Sequence, residues 1–365
     1  MKNTFGSNLT LTLFGESHGP AIGAVLDGLA PGMDVDEAFI ASQLTLRRPA
    51  GKIGTARREE DRFQILSGVF QGKTTGTPLT ILIPNESQHS GDYEETRFLA
   101  RPGHADYTAW CKFHGFEDYR GGGHFSGRVT AALVAAGAIL LSALNQKGIR
   151  IGTHILRCAG IQDRPFGDLE KDLEALGAME FAALDEKAGI EMRSAIEAAG
   201  EAGDSVGGVL ETAVTGLPAG LGEPWFDTVE GLLAHALFSV PAVKGVQFGG
   251  AFELADAKGS EFNDAFHMED GAVRTQTNHN GGVNGGITNG MPVVFQCMVK
   301  PTPSIFKTQQ TVDFRKEEDA ELQLKGRHDP AIIHRARVVA DSVTALVIAD
   351  LLTGRFGTDY LGGGR

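Results

Sequence analysis

This sequence predicts an α+β fold with largely antiparallel sheets, and three observations carry the prediction. Strand-like runs arrive in groups, whereas a doubly wound parallel sheet would alternate them strictly with helices. Neither an internal repeat nor a Pro/Ser-rich linker divides the 365 residues, so one large domain over 1–365 is expected where length alone would also allow two. Hydrophobic residues make up 42% and charged residues 22%, enough apolar mass for a sizeable core.

Alternating or β-branched runs mark strands at 9–14 and 21–26, and an apolar helical period follows at 36–47. Strands at 63–70 and 79–83 complete a first β-rich group, before helices at 105–113 and 127–145. The most apolar stretch, 129–144, has 16 residues, is interrupted by Thr130 and Ser142, and falls short of the roughly 20 that span a bilayer. It reads as a buried helix. A helix at 169–176 lies in an acidic segment, 161–206, whose twelve Asp/Glu and four Lys/Arg suggest a peripheral position. A second strand group, 208–214, 246–252 and 292–299, surrounds a helix at 228–237, and a last helix at 338–352 precedes a flexible tail at 361–365.

The net charge of −13 argues against general nucleic-acid binding, and the N-terminus lacks a signal-type apolar region. Cys111, Cys158 and Cys297 are odd in number and far apart, which suggests neither a disulfide framework nor a zinc knuckle. No H-E-x-x-H or Cys/His cluster points to a metal. A soluble protein of a reducing, cytoplasmic compartment is expected, without membrane or nucleic-acid partners. Against the acidic background, residues 47–58 gather Arg47, Arg48, Lys52, Arg57 and Arg58 with no acid. Such crowded cations suit a polyanionic ligand, a solvated basic loop being the plainer alternative. Glycine, 49 of 365 residues, is nearly twice its usual share of about 7%, as tight turns or close backbone approach to a ligand would require.

Two familiar motifs fail on context. Gly15-Glu16-Ser17-His18-Gly19 fits the nucleophile elbow of α/β-hydrolases, yet only one strand is predicted before Ser17 and no upstream oxyanion loop is available. Gly72-Lys73-Thr74 resembles the end of a phosphate loop, but Ser67 stands where that loop needs its first glycine. Four of the eleven histidines occupy Gly/Pro loops, three of them with an arginine close by: His18, His104, His124 and His328. A histidine so placed has its tip available to donate a proton to a leaving phosphate, although each alone is weak evidence. Gly121-Gly122-Gly123 precedes an apolar helix whose first amides could face an anion, and 278–286 is a second glycine-rich loop; simple turns are an equal alternative for both.

In chain order, GESHGPAIGAVLDGLAPG (15–32), RRP (47–49), LSGVFQGKTTGTP (66–78), RPGHADYT (101–108), DYRGGGHFSGR (118–128), PAVKGVQFG (241–249), NHNGGVNGGITNG (278–290), KPTPSI (300–305) and GRHDP (326–330) resemble the chorismate synthase family over nearly the whole chain. The resemblance implies a layered β-α-β sandwich and a homotetramer. It also implies elimination of phosphate from 5-enolpyruvylshikimate 3-phosphate with reduced FMN, a 1,4-anti reaction that forms chorismate without net redox change. On matching positions, His18 would protonate the leaving phosphate, His104 would protonate the reduced flavin near N1, and Asp329 would serve the N5 proton. Ser17, Arg47, Arg48, Arg57, Arg101, Arg128 and Arg327 would bind substrate. His124, Phe125, Ser126, Gly127, Pro241, Ala242, Gly285, Lys300, Pro301, Thr302, Pro303, Ser304 and Arg327 would hold FMN. Some relatives take NADP and reduce their own flavin; no separate nicotinamide domain is visible here, so an external reductant is expected. The sequence departs from the family pattern at Phe125, Gly127 and Val129, where a serine, an alanine and a glutamate are usual, at Asp341, where glutamate is usual, and in a shorter basic loop with Lys52. Altered flavin affinity is the implied consequence. A non-catalytic flavin or phosphate binder and a serine hydrolase are the competing readings.

Overall fold

The structure is a computed structural model that describes residues 2–48, 53–54, 60–86, 94, 96–324 and 328–362. Two five-stranded sheets enclose a layer of helices. The first runs Thr4–Phe5, Thr10–Gly15, Ala21–Asp27, Leu79–Pro84 and Gln64–Ser67 in spatial order. The second runs Val243–Phe248, Val293–Val299, Gly208–Thr215, Arg150–Cys158 and Ile161–Gln162. Every neighbouring pair in both sheets is antiparallel.

The alternation that predicts the strands also sets their inner faces. Leu79, Ile81 and Ile83 are buried while Thr80, Leu82 and Pro84 are only half so, and Ile22 and Leu26 of the neighbouring strand are fully buried. Each such Leu or Ile contributes on the order of 1.5–3 kcal/mol by leaving water. The helix Thr130–Gln146 packs on this sheet, and Ile333–Phe356 packs on the second. The two helices cross closely because Gly137 faces Ser342: a Cβ on Gly137 would lie 2.3 Å from that of Ser342. Together with its preceding turn, the stretch Gly127–Gln146 is long and apolar enough to cross a membrane, but 89% of its most apolar 18-residue window is buried in this core. One hydrophobic cluster extends from Leu9 to Leu361. The chain ends are tied as well: Asp350 accepts the amides of Ser7, Asn8 and Leu9 at 3.0, 2.7 and 2.9 Å.

Several elements differ from expectation. The strand expected at 246–252 is Val243–Phe248, because Gly249 turns the chain at φ +54° and its amide returns to the Val294 carbonyl. The last helix begins at Ile333, earlier than its pattern suggests. Arg150–Cys158, a central strand of the second sheet, has no sequence expectation at all; it is buried on both faces and shows no alternation. The acidic segment contributes a second helix, Glu186–Glu201, and its Phe181, Met192 and Ile196 join the core.

Candidate active site

The Thr10–Gly15 strand ends at Gly15, which turns at φ +93° into the loop bearing Ser17 and His18. Ser17 and His18 are buried. Asn85 pins this loop, donating to the carbonyls of Glu16 and Gly19 at 2.9 Å each, while its own carbonyl accepts Arg128 Nε at 3.0 Å. Ser17 Oγ lies 3.1 Å from His18 Nδ1 and within 3.2 Å of the Arg120 and Gly121 carbonyls, and the Ser17 amide donates to Gly123 O.

The Gly121–Gly123 run threads between two histidines. All three residues have positive φ (59°, 82° and 52°), which L side chains rarely adopt. A Cβ on Gly121 would fall 2.1 Å from His18 Cε1, and one on Gly122 would fall 3.1 Å from His104 Cε1 and 3.2 Å from its Nε2. Backbone thus fills a gap that no side chain could share with the imidazoles.

Beside Gly122 lies a closed ionic cluster. Asp106 accepts Arg101 N, Nε and Nη2 at 3.0, 2.8 and 2.7 Å, and its Oδ1 is 2.8 Å from His104 Nδ1. Burial works against the Asp106 charge, but hydrogen bonds from Arg101 and His104 hold its carboxyl far below the usual carboxylate range. On the other side of the His18 loop, the helix Glu37–Arg47 buries Ile40, Leu44 and Arg47 on one stripe, so the phase that packs the helix also carries Arg47 inward. There Asp61, buried and left-handed at φ +50°, pairs with Arg128 and lies 4.0 Å from Arg47 and 3.9 Å from Arg48. Arg120 forks onto Asp118 with two 2.8 Å bonds; burial opposes the Asp118 charge, yet Arg120 keeps its carboxyl low. Five arginines therefore converge on three carboxylates and two histidines, leaving excess positive charge in an acidic protein.

The second half of the chain meets this cluster at Gly103, whose carbonyl accepts Lys300 Nζ at 2.7 Å. Burial first, and then repulsion from Lys244, lowers the Lys300 pKa. Lys300 N bonds to Ala242 O, which follows exposed Pro241 and is held at φ +74°. Pro303 packs toward Gly103, Ser304 is buried, and Ser205 Oγ donates to Thr302 O at 2.7 Å. Next to Val206, which bonds to Pro330 O, Asp329 pairs with Arg335, and the His328 ring lies tilted against Phe306 with centroids 5.2 Å apart. His124 Nδ1 sits 2.8 Å from Gly15 O, Ser126 caps the turn before the core helix, and Phe125 is partly exposed against Phe113. At Gly127 a Cβ would meet open space.

Gly285 is not brought to this cluster: its hairpin packs by the Val293 end of a strand whose other end is Val299, about 20 Å away at strand rise. Arg57 and Arg327 lie outside the described residues. Asp61, Asn85, Asp106, Asp118 and Arg120 belong to the candidate site without having been singled out in the sequence; Asp106 inside RPGHAD and Asp118 and Arg120 inside DYRGGGHFSGR lay within motifs, whereas Asp61 and Asn85 gave no signal. The hydrolase context fails again in space, because Ser17 lies in a strand-to-strand turn and not before a helix. Lys73 of the apparent phosphate loop belongs to a two-residue strand and pairs with Asp34 on the surface. Asp341 lies in the core, where Thr153 Oγ1 donates to it at 2.6 Å and burial pushes its carboxyl up to about 6.

The family model for chorismate synthase matches residues 9–353. The chain is 46% identical over 350 residues to a chorismate synthase of Archaeoglobus fulgidus, covering 96% of this chain and 97% of that one. This chain belongs to the chorismate synthase family. An Aeropyrum pernix chorismate synthase is also 46% identical, over 96% of this chain and 93% of its own length. A solved chorismate synthase crystal structure superposes with a TM-score of 0.76 at 29% identity, over 97% of this chain and 94% of that one. The layered α+β architecture is therefore the family's. The activity is that of a carbon–oxygen lyase acting on a small phosphorylated substrate, and neither the hydrolase nor the non-catalytic reading is favoured.

Proposed function

We infer that this chain eliminates phosphate from 5-enolpyruvylshikimate 3-phosphate to give chorismate, with His18 serving the substrate and His104 the flavin. The observation that carries the reading is the packing of His18 on Gly121 and of His104 on Gly122, flanked on both sides by arginines. The family uses reduced flavin, and the residues present suit one. Thr302 Oγ1 is shielded from solvent without a hydrogen-bond partner among the described residues, inside the Lys300–Ser304 stretch, and the Gly121–Gly123 backbone offers a flat wall. Reduced FMN, when bound, supplies electron density that eases departure of the phosphate.

The chain's own residues do the rest. Arg47, Arg48, Arg101 and Arg128, with Arg57 and Arg327, neutralise substrate carboxylates and phosphate. His18 donates a proton to the departing phosphate oxygen, and Ser17, beside it at 3.1 Å, orients its ring. His104 holds a proton on the flavin side, and Asp329 accepts one there. His124, Phe125, Ser126, Gly127, Pro241, Ala242 and Lys300–Ser304 line the cofactor, with Gly285 contributed across the homotetramer. The flavin is reduced by an external donor, in the cytoplasm.

The test is phosphate release from 5-enolpyruvylshikimate 3-phosphate with and without reduced FMN, on wild type, Ser17→Ala and His18→Ala. Release should require reduced FMN, survive Ser17→Ala and fall at least about tenfold in His18→Ala, since a general acid contributes roughly 10²–10⁴-fold. FMN-independent release abolished by Ser17→Ala would restore the hydrolase.

A further inference from the structure

The Arg101–His104–Asp106 cluster contains a protonation choice that its geometry resolves. His104 Nδ1 is 3.0 Å from Arg101 Nη2 and 2.8 Å from Asp106 Oδ1, while Nη2 is itself 2.7 Å from that oxygen. Nδ1 can accept from the guanidinium or donate to the carboxylate, not both. Arg101 keeps Asp106 ionised, so a bare Nδ1 would set its lone pair against a carboxylate oxygen at 2.8 Å. The proton therefore belongs on Nδ1, and Arg101 spends its Nε and Nη2 protons on Asp106. Nε2 is then the nitrogen left toward Gly122, where a Cβ would come within 3.2 Å of it. Among the described residues, Lys300 also reaches this loop, and its ammonium is committed to Gly103 O.

We propose that Asp106 is the positioning residue of the site: one carboxylate fixes the Nδ1–H tautomer of His104, aims Nε2 at the reaction centre and locks the Arg101 fork. The inference rests on the reading of His104 as a group that acts there. Oriented histidines elsewhere have the same need, because the bond at one ring nitrogen decides what the other can do. Asp106→Asn keeps the shape and inverts the logic. An amide cannot accept at both of its ends; with its oxygen toward Arg101 N and Nε, its NH₂ faces His104 Nδ1 and drives the proton to Nε2.

The experiment is nitrogen-15 histidine NMR of the full-length protein together with turnover. Wild type should show His104 protonated at Nδ1 with Nε2 bare in its neutral form. In Asp106→Asn the proton should move to Nε2 and turnover should fall about 100-fold, whereas Asp106→Glu, still an ionised acceptor, should keep Nδ1–H and most of the wild-type activity. A wild-type Nε2–H tautomer, or an Asp106→Asn enzyme with Nδ1–H and unchanged turnover, overturns the proposal, and the wild-type spectrum decides even if the Asn variant does not fold. Near wild-type turnover in His104→Ala would instead remove His104 from the reaction, leaving the tautomer shift to judge Asp106 separately.

Discussion

His104 and His154 are both held by carboxylates, and the difference between them separates a site from a strut. His104 has Asp106 on one nitrogen and presents the other to a glycine backbone. His154, on the central Arg150–Cys158 strand, has carboxylates on both: Asp163 at 3.1 Å from Nδ1 and Glu211 at 3.0 Å from Nε2, with all three residues buried. Two carboxylate acceptors favour the doubly protonated ring of His154 inside the protein. Burial disfavours that charge, but the bonds to Asp163 and Glu211 outweigh it and raise the His154 pKa. The ladder continues across the sheet, since register aligns His154, Glu211, Gln296 and Gln247, and both glutamines pass hydrogen bonds toward Glu211. A saturated histidine has no nitrogen left for substrate; one satisfied on one side only does.

The sharpest break of this comparison comes from truncating both rings. His104→Ala should lose about 100-fold or more in single-turnover phosphate release with little change in thermal midpoint. His154→Ala should do the reverse: turnover of the folded fraction persists while denaturant unfolding shows a loss of about 3–5 kcal/mol, because two buried carboxylates lose their counter-ion. Equal profiles for the two variants would erase the distinction.

A smaller effect sharpens it through pH. The folded His154 pKa lies above its ordinary value near 6.5, so its stabilisation is complete below that pH and is lost as pH rises through the folded value. Asp163 and Glu211 behave oppositely. Burial raises their pKa values, but His154, together with the Leu184 and Asp185 amides at Asp163 and the Phe166 amide and Gln296 at Glu211, more than offsets it, so the folded values lie below the ordinary ones near 4 and their contribution disappears only as pH falls through them. Thermal midpoints measured from pH 6 to 10 should therefore decline in wild type and decline less in His154→Gln; parallel curves would assign the alkaline loss to other groups.

The smallest effect is expected at Lys73, whose pair with Asp34 is more than half exposed on both sides. Lys73→Met should change neither turnover nor thermal midpoint measurably, as befits a surface pair. Lost phosphate release in that variant would return the Gly72-Lys73-Thr74 turn to the list of phosphate sites.

Legibility in the sequence followed the same division. The first sheet and the core helices could be read because their strands alternate and their helices carry unbroken apolar faces, as at 79–83 and 127–145. The interior strand Arg150–Cys158 could not, since burial on both faces removes alternation and the polar His154 and Thr153 stand among its buried residues. Helix Glu186–Glu201 escaped notice because Ala188, Gly189, Met192 and Ile196 make a thin stripe among charges. Motif resemblance supplied the histidines and most arginines of the site. It did not supply Asp61 or Asn85, which are distant in sequence from the arginine they organise, and no periodicity encodes a hydrogen bond from position 128 to position 61 or 85.

Asp350 has a temporal meaning beyond its three hydrogen bonds. The amides of residues 7–9, in the turn between the first two strands, meet a carboxylate more than 340 positions later, so this tie spans nearly the whole described chain. Contacts of such separation slow folding, because a nearly chain-length loop must close before the contact contributes. That loop closes only when the helix Ile333–Phe356 seats against the turn between the first two strands.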